Sequence, residues 1–173
     1  MNNFAEQLRW SEQASDEPFW EAVYKKAFPN FVSHMAASGD TDSQRMGIDR
    51  IVALGNGRLL KIDEKKRTRA WDDILLEYVS VDKTGAPGWI EKDLQIDYLA
   101  YAFMPTKQCY LFDWLMLRRA WLQFSDEWKA KYSTKRAKNN GYTTLNVAIP
   151  IPVLRSAVAR ASLIDLSCKG AAL

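Results

Sequence analysis

Two aspartates and a lysine in this sequence have the types and spacing that metal-assisted chemistry requires. Asp49 opens one apolar segment, and Asp63 and Lys65 close the next. Alternate side chains of a β-strand point to one face, so Asp63 and Lys65 are predicted to lie together, with Ile62 and Glu64 opposite. Carboxylate oxygens suit Mg²⁺, and an ammonium group can orient a water or stabilise charge on phosphate oxygens. This pattern predicts a site for phosphodiester hydrolysis.

A second register overlaps the first, because Glu64 and Lys66 also form an acid-x-lysine pair. The Asp63/Lys65 register is favoured because it leaves Ile62 aligned with the core before the acid. The competing interpretation is an edge strand whose charged residues all face solvent.

The elements that must position these residues follow from hydrophobic periodicity and turn signals. Strands are predicted over residues 48–54, 58–65, 74–81, 99–104, 108–112 and 143–149, and helices over 16–28, 89–98, 115–137 and 152–163. Gly55-Asn56-Gly57 is typical of a hairpin turn between the first two strands. Strands joined by tight turns cannot be parallel, so we expect an α/β fold with a mixed sheet and helices on both faces.

Composition limits the class of protein. The 173 residues are 47% apolar and 26% charged, as in a globular protein, and their number favours a single domain over residues 1–173. The net charge of +3 permits nucleic-acid binding without demanding it. The single histidine, His34, excludes sites that need several histidines. Two distant cysteines, no signal peptide and no long apolar run predict a cytoplasmic protein without a membrane partner.

Asp49, the hairpin and Asp63-Glu64-Lys65 together resemble the bipartite motif of the PD-(D/E)XK nuclease superfamily. The resemblance implies a restriction-endonuclease-like αβββαβ core over residues 16–112, with a helix and a strand added towards the C-terminus. The chain departs from the motif in having Ile48 where proline is typical.

The resemblance also implies roles for individual residues. Asp49 and Asp63 would be metal ligands together with the backbone carbonyl of Glu64, and Lys65 would be the catalytic lysine. The superfamily often carries a glutamate in its first helix. Glu21 is the best match for this residue and Glu17 the second.

Glu77 and a set of basic and polar residues complete the predicted site. Glu77 interrupts an apolar strand, so it either joins the metal site or faces solvent, where Arg67 or Arg69 can pair with it. Nucleic-acid contacts are expected from two basic segments, their neighbours and one residue ahead of the motif: Gln44, Arg67, Arg69, Lys131, Lys135, Arg136, Lys138, Asn140 and Tyr142.

We therefore expect an Mg²⁺-dependent (or Mn²⁺-dependent) deoxyribonuclease that uses a metal-activated water. DNA is the expected partner, RNA stays open, and the sequence is compatible with a homodimer. The alternative is a non-catalytic nucleic-acid-binding or protein-interaction module on the same fold.

Overall fold

A computed structural model describes residues 4–37 and 46–163 of the chain, with side chains described from residue 16 onward. The helices are α1 (Phe4–Ala27), α2 (Trp114–Lys131) and α3 (Ile151–Ala161). The strands are β1 (Phe31–Ala36), β2 (Arg50–Leu54), β3 (Leu59–Arg67), β4 (Asp73–Val81), β5 (Ala86–Pro87), β6 (Tyr98–Phe103), β7 (Gln108–Asp113), β8 (Thr134–Lys138) and β9 (Thr143–Pro150). Short 3-10 turns span Trp89–Glu91 and Met104–Thr106.

The first sheet has the order β1-β2-β3-β6-β7 and is mixed. β2 and β3 form the predicted antiparallel hairpin, whereas β3 and β6 run parallel. Helix α1 covers one face of this sheet because its aromatic residues recur at helical spacing and meet the alternate apolar residues of the strands. The side chains buried in this layer are Trp20, Tyr24, Val52, Leu60, Ile62, Ala100 and Ala102.

The second sheet has the order β5-β4-β9-β8 and packs with α2 and α3 in a larger core. Asp113 caps α2 by accepting a hydrogen bond from the Met116 N–H over 3.0 Å. Leu117 and Trp121 then recur at helical spacing and are fully buried. The same core contains residues from the face of the first sheet that α1 does not cover, such as Leu99 and Phe103.

The α/β class and the mixed sheet are confirmed, but β4 does not follow β3 in the same sheet. The reason is that β6 occupies the free edge of β3, pairing Ile62 with Tyr98 and Arg67 with Phe103. β4 therefore pairs with β9 instead. The site residues on β3 thus come to lie beside a second sheet.

Several predicted helical segments are wrong. Residues 89–98 form only a 3-10 turn and an extended segment, because Leu94 and Ile96 alternate into the core and the Gln95 N–H donates to the Met46 carbonyl. Residues 31–36, to which no element was assigned, form β1. Helix α2 ends at Lys131 rather than near residue 137, since β8 pairs with the edge of β9. Helix α1 begins at Phe4 rather than at residue 16, so Pro18 lies inside it.

Candidate active site

Asp63 and Lys65 lie side by side on the face of β3 that α1 does not cover. Asp63 is only 2% exposed, and the Lys65 ammonium donates a hydrogen bond to its Oδ1. The Lys65 side chain itself is 32% exposed. Alternation along the strand accounts for this pairing. One end of the pair is buried among apolar groups, and the other remains open to solvent.

Asp49 is held against β3 by two backbone hydrogen bonds. Its N–H donates to the Ile62 carbonyl over 2.9 Å, and its Oδ2 accepts from the Glu64 N–H over 2.8 Å. Gly47 permits the approach, because its φ is +76° and a Cβ there would lie 2.9 Å from a Leu94 methyl carbon. These contacts place the Asp49 carboxylate near Asp63, whose pKa it raises.

The electrostatics of the pair favour a shared proton or cation. Burial raises the pKa of Asp63 to about 7; the Lys65 ammonium opposes this rise, and the nearby Asp49 carboxylate adds to it. Asp63 is buried and Asp49 is exposed, and ionising the buried carboxyl beside the second negative charge is costly. A positive charge between them would relieve the repulsion.

The oxygen donors present at this point fit a hard divalent cation. Backbone groups of residues two apart point to the same edge of a strand, so the Glu64 carbonyl faces the Asp49 edge, as the Ile62 carbonyl does. Within the described part of the chain, no group of three or more His, Cys, Asp or Glu side chains is placed to hold a metal. Two carboxylates and one carbonyl suit Mg²⁺, which usually keeps several waters.

The Glu64 side chain points to the opposite face of β3, as alternation predicts. Its carboxylate accepts hydrogen bonds from Arg50 Nε over 2.8 Å and from the Tyr24 hydroxyl over 2.6 Å. Lys66 is drawn away to Asp16, 2.7 Å distant. The overlapping Glu64/Lys66 register therefore does not form a site, whereas the Asp63/Lys65 register joins Asp49.

The glutamates of α1 are not brought to the aspartate pair. Glu21 forms an ion pair of 2.8 Å with Lys25, which lowers the pKa of this exposed carboxyl. Glu17 accepts from Arg50 at 2.6 Å, and Arg50 also contacts Glu64 on the covered face of the sheet. Both candidates for the superfamily's helix glutamate therefore lie on the side of the sheet opposite to Asp63.

Glu77 approaches the site from β4. Burial raises the pKa of its carboxyl, while the charges of Lys92 and Lys65 and hydrogen bonds from Trp89 and Ser80 oppose the rise. Glu77 is half-buried rather than open to solvent. Among the described residues, neither Arg67, which pairs with Asp73, nor Arg69 forms an ion pair with it.

A close backbone contact fixes the position of Glu77. A Cβ added to Gly88 would lie 2.2 Å from the Glu77 carbonyl oxygen, so only glycine fits beside β4 at this point. Gly88 then leads into the 3-10 turn whose Trp89 N–H reaches the Glu77 carboxyl. The Pro87-Gly88 pair by itself indicates only a turn, so the sequence does not reveal this contact with β4.

The basic loop after β3 borders the site. Arg67 donates to Asp73 over 3.1 Å and lies over the ring of Trp71, 5.5 Å from its centroid. Arg69 is exposed in the same loop. Trp71 was not predicted as a site residue, yet it is 49% exposed. Trp89, the tryptophan that follows Pro87-Gly88, is buried.

The second basic segment forms an edge strand and its turn, not a helix end. Every residue of β8 is exposed, and so are Asn140 and Tyr142 in the turn that follows. Lys135, Asn146 and Glu77 are direct partners across β8, β9 and β4, so their side chains share a face and Lys135 lies about 10 Å from Glu77.

The other predicted cations do not join that row. Arg136 and Lys138 point to the opposite face, since alternation places both out of step with Lys135. Lys131 lies at the end of α2, where its ammonium contacts the Tyr132 ring. Gln44 falls outside the described residues.

Comparison with known proteins gives no independent assignment. No protein family, no curated protein and no solved structure matches this chain. Across residues 4–37 and 46–163, no helix combines the length and the apolar character needed to cross a membrane. The chemistry of the site is therefore the ground for a functional proposal.

Proposed function

We propose that this protein is a metal-dependent nuclease that hydrolyses phosphodiester bonds in DNA. The observation that carries the proposal is the convergence of Asp49, Asp63 and Lys65 on one point at the edge of a buried layer. Structural ion pairs are usually exposed and leave both partners with ordinary surroundings. Here the buried aspartate has a raised pKa, so a positive charge bound at the site would stabilise its ionised form.

Asp49, Asp63 and the Glu64 carbonyl would hold Mg²⁺ or Mn²⁺. Such a cation supplies Lewis-acid stabilisation of phosphate oxygens and lowers the pKa of a water that it binds. Asp49 is kept in register by the Glu64 N–H, so the two carboxylates are oriented before any ligand arrives. This preorganisation is what electrostatic catalysis requires.

Lys65 contributes a movable positive charge. Its ammonium is bound to Asp63, but about a third of its side chain is open to solvent. Once Asp63 is neutralised, the ammonium is free to donate to a phosphate oxygen or to hold an attacking water. Glu77 lies near this lysine, and the Lys65 charge opposes the rise that burial causes in the pKa of the Glu77 carboxyl.

Phosphate contacts would come from the two basic segments on either side of the aspartates. Arg69 lies in the loop after β3, and Lys135 shares a face with Glu77. Each cation that neutralises a phosphate releases a counterion, so affinity falls with added salt.

Cleavage of supercoiled and linear DNA tests the proposal. Wild type, Asp63→Asn and Lys65→Met are compared in Mg²⁺, Mn²⁺ and EDTA. We expect cleavage by wild type with either metal, none with EDTA, and a loss of about 100-fold or more in both variants. Glu21→Gln is the matched control, because the structure leaves Glu21 outside the site, and it should cleave like wild type. Equal cleavage by all four proteins would reject the active site.

The alternative function is a non-catalytic nucleic-acid-binding or interaction module. Two observations favour it: the Lys65 ammonium is already bound to Asp63, and the described donor set has only two carboxylates. Metal-independent binding of DNA by wild type, together with no cleavage under any condition, would select this alternative.

A further inference from the structure

Trp71 is the exposed tryptophan among those whose side chains the structure describes. It lies in the loop between β3 and β4, with about half of its surface open to solvent. The other described tryptophans are buried in the two cores: Trp20, Trp89, Trp114, Trp121 and Trp128. Exposing a large indole forfeits the stabilisation that its burial would give, so the position calls for an explanation other than packing.

The surroundings of Trp71 hold its ring in place. The Arg67 guanidinium lies 5.5 Å from the ring centroid, an attractive cation–π arrangement. Arg67 is itself fixed, since its Nη1 donates to Asp73 over 3.1 Å and lies 3.5 Å from the Tyr101 hydroxyl. That hydroxyl also accepts from the Leu75 N–H at 3.1 Å, which ties the loop to both sheets. The indole is therefore a supported flat surface.

The Trp71 ring lies beyond the proposed active site in the direction of β3. Asp63, Lys65 and Arg67 are alternate residues of β3 and point to the same face, in steps of about 6.6 Å. Arg67 thus lies about 13 Å along the strand from Asp63, and Trp71 lies beside Arg67. A nucleic-acid strand whose phosphate reached Lys65 would carry a neighbouring nucleotide towards Trp71.

The chemistry of Trp71 fits an unpaired nucleobase. Every base has a π-face that stacks on an aromatic ring, and a guanidinium beside the ring adds to the attraction. Bases inside a duplex are already stacked on their neighbours and cannot offer that face to a laterally placed indole. The positive charges of Arg67 at the end of β3 and of Arg69 in the following loop suit the backbone of the nucleic-acid strand.

We propose that Trp71 is a stacking platform for an unpaired base, and that the preferred substrate is single-stranded DNA or a single-stranded extension of a duplex. This inference rests on the proposed nuclease function for the path of the strand. It adds a binding position and a substrate class to that function.

Binding in EDTA tests the platform without requiring cleavage. The probes are a fluorescently labelled oligothymidylate and a duplex of the same length, followed by anisotropy. We expect Trp71→Ala to weaken binding of the single strand about tenfold or more and to leave duplex binding unchanged. Trp71→Phe should retain most of the affinity. Leu59→Ala is the matched control, because Leu59 is 63% exposed at the opposite end of β3.

An abasic scan identifies the stacked position. One oligothymidylate position, when made abasic, should weaken binding to wild type as much as Trp71→Ala does, and it should cost the variant nothing further. Trp71→Phe, which keeps a stacking ring, should show a loss at the same abasic position as wild type, and this comparison holds even if Trp71→Ala folds poorly. Equal affinity of wild type and Trp71→Ala for the single strand, or equal losses on single strand and duplex, would overturn the inference.

The nuclease assay distinguishes a failure of the Trp71 proposal from a failure of the proposed active site. If wild type cleaves DNA and Asp63→Asn does not, the proposed function stands even when Trp71→Ala binds normally. If Trp71→Ala loses single-strand binding while no protein cleaves, the platform stands and the catalytic proposal falls.

Discussion

Replacing Asp63 with asparagine should stabilise the metal-free protein at pH 8 while abolishing cleavage. Asparagine has the shape of the carboxyl group but cannot ionise. The wild-type carboxyl is buried, and its pKa is raised from 3.8 to about 7. Between those values the folded protein binds a proton that the unfolded chain has released, so the free energy of unfolding falls as the pH rises.

The magnitude follows from the pKa. Each pH unit between the two pKa values changes the free energy of unfolding by about 1.4 kcal/mol. The carboxyl is half ionised at pH 7, so from pH 5 to pH 8 the wild type loses about 3 kcal/mol, and above pH 8 the loss is nearly complete. Groups distant from Asp63 titrate equally in both proteins, so the difference between wild type and Asp63→Asn reports on this carboxyl and on its contacts with Lys65 and Asp49.

Urea unfolding in EDTA at intervals from pH 5 to pH 8 measures the effect. The stability of Asp63→Asn relative to wild type should increase by about 3 kcal/mol over this range. Asp93→Asn is the control, since Asp93 is exposed and outside the site, and it should run parallel to wild type. Parallel curves for wild type and Asp63→Asn would refute the reasoning about the buried Asp63 carboxyl.

Added Mg²⁺ provides a second readout of the same carboxylate. A ligand that binds only the folded state at 100 times its Kd stabilises that state by about 2.7 kcal/mol. Mg²⁺ at saturating concentration should therefore raise the stability of wild type at pH 8 and leave that of Asp63→Asn almost unchanged. A similar rise in both proteins would mean that the cation binds elsewhere.

Three further substitutions test the supports of the site. Gly88→Ala should cost about 3 kcal/mol in urea unfolding because its Cβ meets the β4 backbone, whereas Gly55→Ala, with its nearest atom 3.7 Å away, should cost much less. Arg50→Met leaves the buried Glu64 without its cation, so we expect a loss of about 3–5 kcal/mol in the same assay; a loss under 1 kcal/mol would contradict this role. Lys135→Ala should lower the salt dependence of DNA binding by about one phosphate contact, and an unchanged slope would exclude that contact.

The local sequence pattern was enough to predict which side chains of β3 lie together in the candidate site. Side chains alternate along a strand whatever the rest of the fold does, so the sequence alone placed Asp63 with Lys65 and turned Glu64 away. The glycine-rich turn at residues 55–57 predicted the antiparallel neighbour that brings Asp49 to the same edge. Both features depend on residues close together in the chain.

Features that depend on distant pairing were decided only by the tertiary structure. The cations of residues 134–138 suit a helix end or an edge strand equally well. These residues form a strand because they pair with the free edge of β9. β4 is not part of the first sheet because β6, some thirty residues further along the chain, pairs with the edge of β3. Because β4 belongs to the second sheet, Glu77 approaches Lys65 from that sheet, and Trp71 is exposed on the loop that connects β3 to β4. Periodicity describes which face a side chain occupies, but the partner of that face is set by contacts between segments far apart in sequence.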